Sequence, residues 1–263
     1  MQVIDSVPTI KKKPVGCLSM TARKVLAAGL ARLQDSSTEF LPEQGHQLTP
    51  PVSPPSGFFP ILALVSASGL LVVAIAYYMG SYSTTLLDLL FLLGLAIMYV
   101  PCFVRLVSPA PSRFERMSLL AVVGINFFLV QLMVSPNYIS PYDSMLHWIN
   151  ADTLLSVHHL FNINSLLPVS PYYPGLEIIT NALSSISGLN TFEAGSILVA
   201  VVRLLMVCSL YLFYEQVMQS GRLAGIAVMI YMTNPHFAFF DAIFSYETLA
   251  LPIVTFILYT LIR

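Results

Sequence analysis

The sequence predicts an all-α fold: a polytopic transmembrane helical bundle with surface helices in one large outer loop. Three observations carry this. Only 10% of the 263 residues are charged and 56% are hydrophobic, whereas soluble domains run at about 25% charged. Apolar runs long enough to cross a bilayer recur along the chain. Lys and Arg gather in alternate joints between those runs and are absent from residues 117–202, the asymmetry that orients membrane helices. A net charge of −1 with scattered basic residues gives no surface that tracks a nucleic-acid backbone. The lipid bilayer is the first expected partner.

Residues 1–56 differ from the rest. They carry Lys11, Lys12, Lys13, Arg23, Lys24 and Arg32 and end in "LTPPVSPPSG", the composition of a disordered tail with a stiff, extended linker. Within the tail, residues 20–33 place Val25, Leu26, Leu30 and Leu33 near one face. That stretch is read either as an interfacial helix on an anionic leaflet or as a frayed, solvated one.

The spans follow in order. Residues 57–80 hold no charge, and at 1.5 Å per residue they cross a hydrocarbon core of about 30 Å. Residues 84–104 form a second span, with Asp88 near its start and Pro101 near its end, and residues 117–134 a third. After a long gap come 196–214, then 223–234 and 246–262, for six in all. Basic residues outside the spans lie in the tail, at Arg105, Arg113 and Arg116, at Arg222 and at Arg263. The positive-inside rule therefore places the N-terminus in the cytoplasm of a multi-pass protein of the plasma membrane, and loop 135–190 on the outer face. Cys17, Cys102 and Cys208 lack the spacing of a zinc site and read as packing residues.

The outer loop is too apolar for a linker. Leu146, Trp148, Ile149, Leu154, Leu155, Leu160 and Phe161 recur at near-helical spacing, which predicts short helices along the membrane surface. In a helix over 142–158, Asp143, His147 and Asn150 stand at i, i+4 and i+7, one polar stripe opposite Leu146 and Ile149. Two readings follow. In one, Asp143 sits against the positive end of the helix dipole after Pro141 and His147 faces water. In the other, acid and imidazole form a functional pair. The adjacent His158 and His159 point to different faces and read as interfacial polar residues. The prolines of "NINSLLPVSPYYPGLEI" predict a rigid turn around Tyr172 and Tyr173, then a helix from Pro174 or Gly175 with Glu177 in its first turn.

Arg203 lies inside the fourth span, where a charge is costly and usually functional. It reads equally as a snorkelling side chain or the partner of Asp88. "NPHFAFFDAIFSYETLALP" brings His236, Asp241, Tyr246 and Glu247 to the outer face by topology.

These residues carry a resemblance. An acidic residue in an outer loop, here Asp143 in "ISPYDSMLHW", followed by a proline-tyrosine turn into the next helix, here "PYYPGLEI", resembles the GT-C superfamily of membrane glycosyltransferases. The resemblance covers roughly residues 117–263. It implies transfer of a sugar from a polyprenyl-phosphate donor on the outer face, with Asp143 at the catalytic centre and His147 beside it. Acceptor activation needs a base and the leaving phosphate needs cationic or dipolar stabilisation. Arg203 is the candidate for the latter, and Tyr172, Tyr173, Glu177, Asp241 and Glu247 complete the expected substrate-binding set. Ser144 stands where a second acidic partner beside Asp143 would be. No cofactor is therefore assigned, and a divalent metal stays open. GT-C enzymes generally carry more spans, so on the resemblance the chain is expected to be incomplete. The competing reading is a non-catalytic polytopic membrane protein, a subunit or a transporter fragment.

Overall fold

The computed structural model describes residues 58–80, 84–134 and 143–263, with side chains in the last stretch from Ser144 onward. The basic tail, with its candidate interfacial helix, and residues 135–142 of the outer loop lie outside the described residues. What is described is helical, with no strand among the described residues. Among the described residues four helices are long and apolar enough to cross a membrane: α1 (Phe58–Met79), α2 (Thr84–Val107), α3 (Arg113–Val134) and, after two shorter helices, α6 (Thr191–Met218). The two shorter ones are α4 (Asp143–Val157) and α5 (Gly175–Ser187), joined through a single 3-10 turn at Ser170–Tyr172. Next come α7 (Gly221–Met232), the short α8 (Pro235–Phe239) and α9 (Tyr246–Ile262).

The fifth and sixth expected spans differ from simple rods. α7 and the following 235–242 segment are long and apolar enough to cross a membrane only when taken together, as one unit bent by 76°. The bend has a local cause: Pro235 cannot donate into the preceding turn, and the Asn234 side chain caps a new helix by accepting from the His236 amide at 2.9 Å. α9 is apolar but only 17 residues long and contains Pro252.

α1 and α2 pack so closely because of two glycines. A Cβ on Gly69 would sit 2.7 Å from the Gly94 carbonyl oxygen, and one on Gly94 would sit 2.8 Å from that of Gly69. Small residues are what allow helix backbones to approach in lipid, where packing and hydrogen bonds replace the hydrophobic drive. A polar tie adds to the fit: Asn126 of α3 donates to Ser66 Oγ at 2.7 Å, and Ser66 donates to the Met98 carbonyl at 3.2 Å. Beside it, Cys102, Leu106, Leu119, Val207 and Met229 fill a core shared by α2, α3, α6 and α7.

The two ends of this bundle differ in chemistry. At one end, Arg105 and Glu115 form a two-point ion pair at 2.8 and 3.1 Å, and Arg113 pairs with Glu215 of α6 at 2.7 Å. The guanidinium of Arg116 donates to the carbonyls of Leu106 at 2.6 Å and Ser108 at 2.9 Å, satisfying groups that the end of α2 leaves free. At the other end α6 begins with a reciprocal cap. Asn190 accepts from the Glu193 amide at 2.8 Å, and Glu193 accepts from the Asn190 amide at 3.2 Å. That end is where α4 and α5 pack on α6 to form a cap over the bundle.

A Gly69→Leu substitution forces side-chain atoms into the α2 backbone and is expected to cost about 1–3 kcal/mol, the usual range for overpacking. Gly225→Ala, whose Cβ meets Leu106 Cδ2 at an ordinary 3.4 Å, is expected to be near neutral. Unfolding of both variants in detergent micelles checks the contrast.

Candidate functional site

Within the cap, a histidine and a glutamate 30 residues apart meet in the interior. His147 Nδ1 lies 3.3 Å from Glu177 Oε1, with only 2% and 4% of the two side chains exposed. Ser170, from the 3-10 turn, joins them, its Oγ 3.1 Å from the same Nδ1 and 3.4 Å from Glu177 Oε1. With the proton on Nδ1, the imidazole donates to the carboxylate and the serine hydroxyl donates alongside it. The arrangement differs from a nucleophilic serine triad, in which serine and acid use opposite ring nitrogens. Ser170 and Glu177 share one.

A chain of amides continues outward. Asn150 donates to Ser170 Oγ at 2.6 Å, and Asn164 donates to the Asn150 side-chain oxygen at 2.6 Å. The Asn164 oxygen accepts from the amides of Leu166 at 2.9 Å and Leu167 at 3.1 Å, a turn closed by a side chain. On the other flank, Tyr246 at the start of α9 sets its ring against His147 edge-on at 5.2 Å and stacks on Tyr173 at 5.6 Å. Trp148 Nε1 donates to Thr191 Oγ1 at 2.9 Å, tying α4 to the first residue of α6.

The cluster borders a cavity of about 230 Å³, whose walls include Asn150, Asn162, Asn164, Ser170 and Glu177. The loop that closes it contains two residues in the left-handed backbone region, His158 at φ 55° and Phe161 at φ 61°. Non-glycine residues hold that conformation only where the surroundings enforce it, often at functional sites. Glu177 Oε2 is buried with no hydrogen-bond partner among the described residues.

The expected site residues divide into separate groups. Asp143 is the first residue of α4, one helical turn before His147, and its side chain lies outside the described residues. His147 does not face water; its partners are Glu177 and Ser170. Tyr172 and Tyr173 are exposed, at 73% and 56%. Arg203 and Asp241 lie elsewhere, on the wall of one small void and without a direct ion pair between them. The Arg203 Nε donates to the Gly124 carbonyl at 2.9 Å, and its guanidinium carbon lies 4.0 Å over the Phe237 ring. Its two terminal nitrogens and Asp241 Oδ2 have no partner among the described residues. Arg203, Asp241 and Thr248 line a void of about 10 Å³, the size of one water. That void shares no wall residue with the cavity beside Glu177. Asp241 Oδ1 lies 3.3 Å from Nδ1 of the half-exposed His236. Glu247 is exposed, and so is Asp88, which makes no contact with the sealed Arg203.

Ser170 escaped the sequence reading, since it sits in a proline-flanked turn with no periodic signal. Tyr246 was read together with His236, Asp241 and Glu247, and its contact with His147 was not foreseen. No group of three or more metal-ligating side chains converges among the described residues. Comparisons with protein-family models, with curated proteins and with solved structures each return no match.

Replacing Glu177 by Leu strands the His147 and Ser170 hydrogen-bonding groups and is expected to destabilise the cap by about 1–3 kcal/mol. Adding His147→Leu to it should cost less than the sum of the two single changes, because the pair couples. Hydrogen exchange of α4 and α5 amides reports both values.

Proposed function

We propose that this chain is an integral membrane glycosyltransferase of the GT-C type, working on the outer face with a polyprenyl-phosphate-linked sugar. In this reading the N-terminus is cytoplasmic, α7 with α8 and then α9 complete six passages of the plasma membrane, and the cap carries the reactive end. The observation that supports it best is a buried His147–Glu177 pair at the edge of a polar cavity, seated on a bundle of lipid-soluble helices. Polar groups of this kind are costly to bury without a role or full pairing.

A second feature fits the same reading. An apolar groove of about 350 Å³, lined by Phe91, Tyr99, Phe127, Met232 and Phe239 among others, lies between α2, α3 and the α7–α8 bend, in the half of the bundle nearer the cap. Its chemistry suits a lipid chain rather than a polar ligand.

The chemistry is a displacement at the anomeric carbon. An acceptor oxygen forms a bond to that carbon, the carbon–oxygen bond to the lipid phosphate breaks, and the electron pair leaves with the polyprenyl phosphate. The acceptor proton passes to a carboxylate, with Asp143 as the base and Glu177 with His147 orienting the reacting hydroxyl. Arg203, sealed beneath Phe237, serves in this reading to fix the α8 turn against α6 rather than to touch the phosphate.

The test is transfer in lipid nanodiscs with a labelled polyprenyl-phosphate hexose and a panel of acceptors. Asp143→Asn is expected to lower transfer about 100-fold or more, the usual contribution of a general base, while insertion and unfolding midpoint stay unchanged. Transfer that persists in this variant sinks the assignment of Asp143. Absence of any transfer by the unaltered chain across the donor panel sinks the glycosyltransferase reading.

A further inference from the structure

The cavity beside Glu177 has an unusual balance of charge. Of the residues lining it, Glu177 is the one acidic residue and none is Lys or Arg, with His159 the other ionisable one. No Lys or Arg occurs anywhere between Arg116 and Arg203. Arg116 is spent on the carbonyls at the opposite end of the bundle, and Arg203 is sealed at 1% exposure. No Lys or Arg therefore lines this cavity among the described residues, and the basic groups nearest Glu177 are the imidazoles of His147, on its Oε1, and of His159, in the wall.

What the walls do offer is neutral hydrogen bonding beside apolar surface. Asn150, Asn162, Asn164, Ser165 and Ser170 supply amides and hydroxyls, and Leu160, Phe161 and Ile163 supply apolar contact. Pro171 and Pro174 form part of the wall, and the two residues between them, Tyr172 and Tyr173, are exposed at 73% and 56%. Tyr173 is held in place by its stack on Tyr246. Amides and hydroxyls, one unpartnered carboxylate oxygen and the Phe161 ring in the wall, with Tyr172 and Tyr173 next in sequence to its two prolines, suit a ring with hydroxyls on its edge and C–H groups on its face.

We propose that this cavity is a subsite for a neutral sugar ring and that Glu177 makes it reject sugars bearing an acidic group. A carboxylate or phosphate on the ring would enter beside the buried Glu177 with no Lys or Arg in the wall to offset it, and like charges at short range in a partly dry site repel strongly. A neutral hydroxyl instead donates to the free Glu177 oxygen and removes an unsatisfied acceptor. The inference rests on the reading that the chain handles glycosyl groups, and it concerns which of them the cap admits.

The experiment measures binding, not transfer. Saturation-transfer NMR on the full chain in nanodiscs is run with the methyl glycosides of glucose, galactose and mannose, against the methyl glycosides of glucuronate and galacturonate. At least one neutral glycoside is expected to bind, with the matching uronide at least 10-fold weaker. Asn164→Ala and Tyr172→Ala should each weaken the neutral ligand several-fold, and Tyr172 is exposed enough for its variant to fold normally. Glu177→Gln should narrow the gap by admitting the uronide. Uronides that bind as well as neutral glycosides overturn the proposal. So does an absence of binding by every neutral glycoside, or binding that ignores both the Asn164 and Tyr172 variants. Neutral-sugar binding at this cavity without any transfer would leave the inference standing and remove the enzymatic reading. Transfer without charge discrimination would do the reverse.

Discussion

The contact between His147 and Glu177 is the constraint on which the cap depends. α4 and α5 are short, and helices of 15 and 13 residues are marginal in water without tertiary support. Burying two ionisable side chains between them sets a strict condition: each must find its partner or the cap loses more than it gains. The 3-10 turn satisfies the condition by bringing in Ser170, and the Asn150–Asn164 chain then ties the same hub to the cavity loop. The cap is thereby organised from inside, with the cavity loop, Tyr173 and the start of α9 all held around one polar centre.

The bundle beneath is held by a different economy. Lipid tails reward no apolar contact over another, so shape and a few hydrogen bonds decide which helices meet. Gly69 against Gly94 supplies the shape for α1 and α2, and Asn126 with Ser66 links them to α3. Arg203 plays the matching part for α6. A cation at 1% exposure inside a span is tolerable only among carbonyl, aromatic and carboxylate groups, and it finds Gly124, Phe237 and Asp241 there. Asp241 and Phe237 come from the bent segment after α7, so the bend seats that segment against Arg203.

How much of this was legible in the sequence follows from the range of each signal. Long apolar runs are local, and the four long helices lie on the runs that hydropathy picked out: α1 stays within its run, while α2, α3 and α6 continue a few residues past theirs, where ion pairs and caps carry the helix on. The starts of α4 at Asp143 and α5 at Gly175 were readable from the prolines before them. The partner of His147 was not. Periodicity names neighbours within one helix, and it pointed to Asp143 on the same face; Glu177 arrives from the next helix through a turn that has no period. The same limit hid the packing of Tyr246 on His147 and the separation of Arg203 and Asp241 from Glu177. A single straight fifth span was expected from composition, which does not register the cap that Asn234 builds for a new helix.

The central claim is that His147 is sealed and donates a hydrogen bond from its Nδ1–H to Glu177, and ¹⁵N-histidine NMR of the chain in nanodiscs tests it most directly. Five histidines are present, and a His147→Gln sample identifies the signal. The account predicts an Nδ1–H resonance for His147 that exchanges slowly with water and disappears or exchanges fast when Glu177 becomes Leu. A His147 imidazole whose ring protons exchange as fast as those of an exposed histidine, with no response to the Glu177 change, would contradict it.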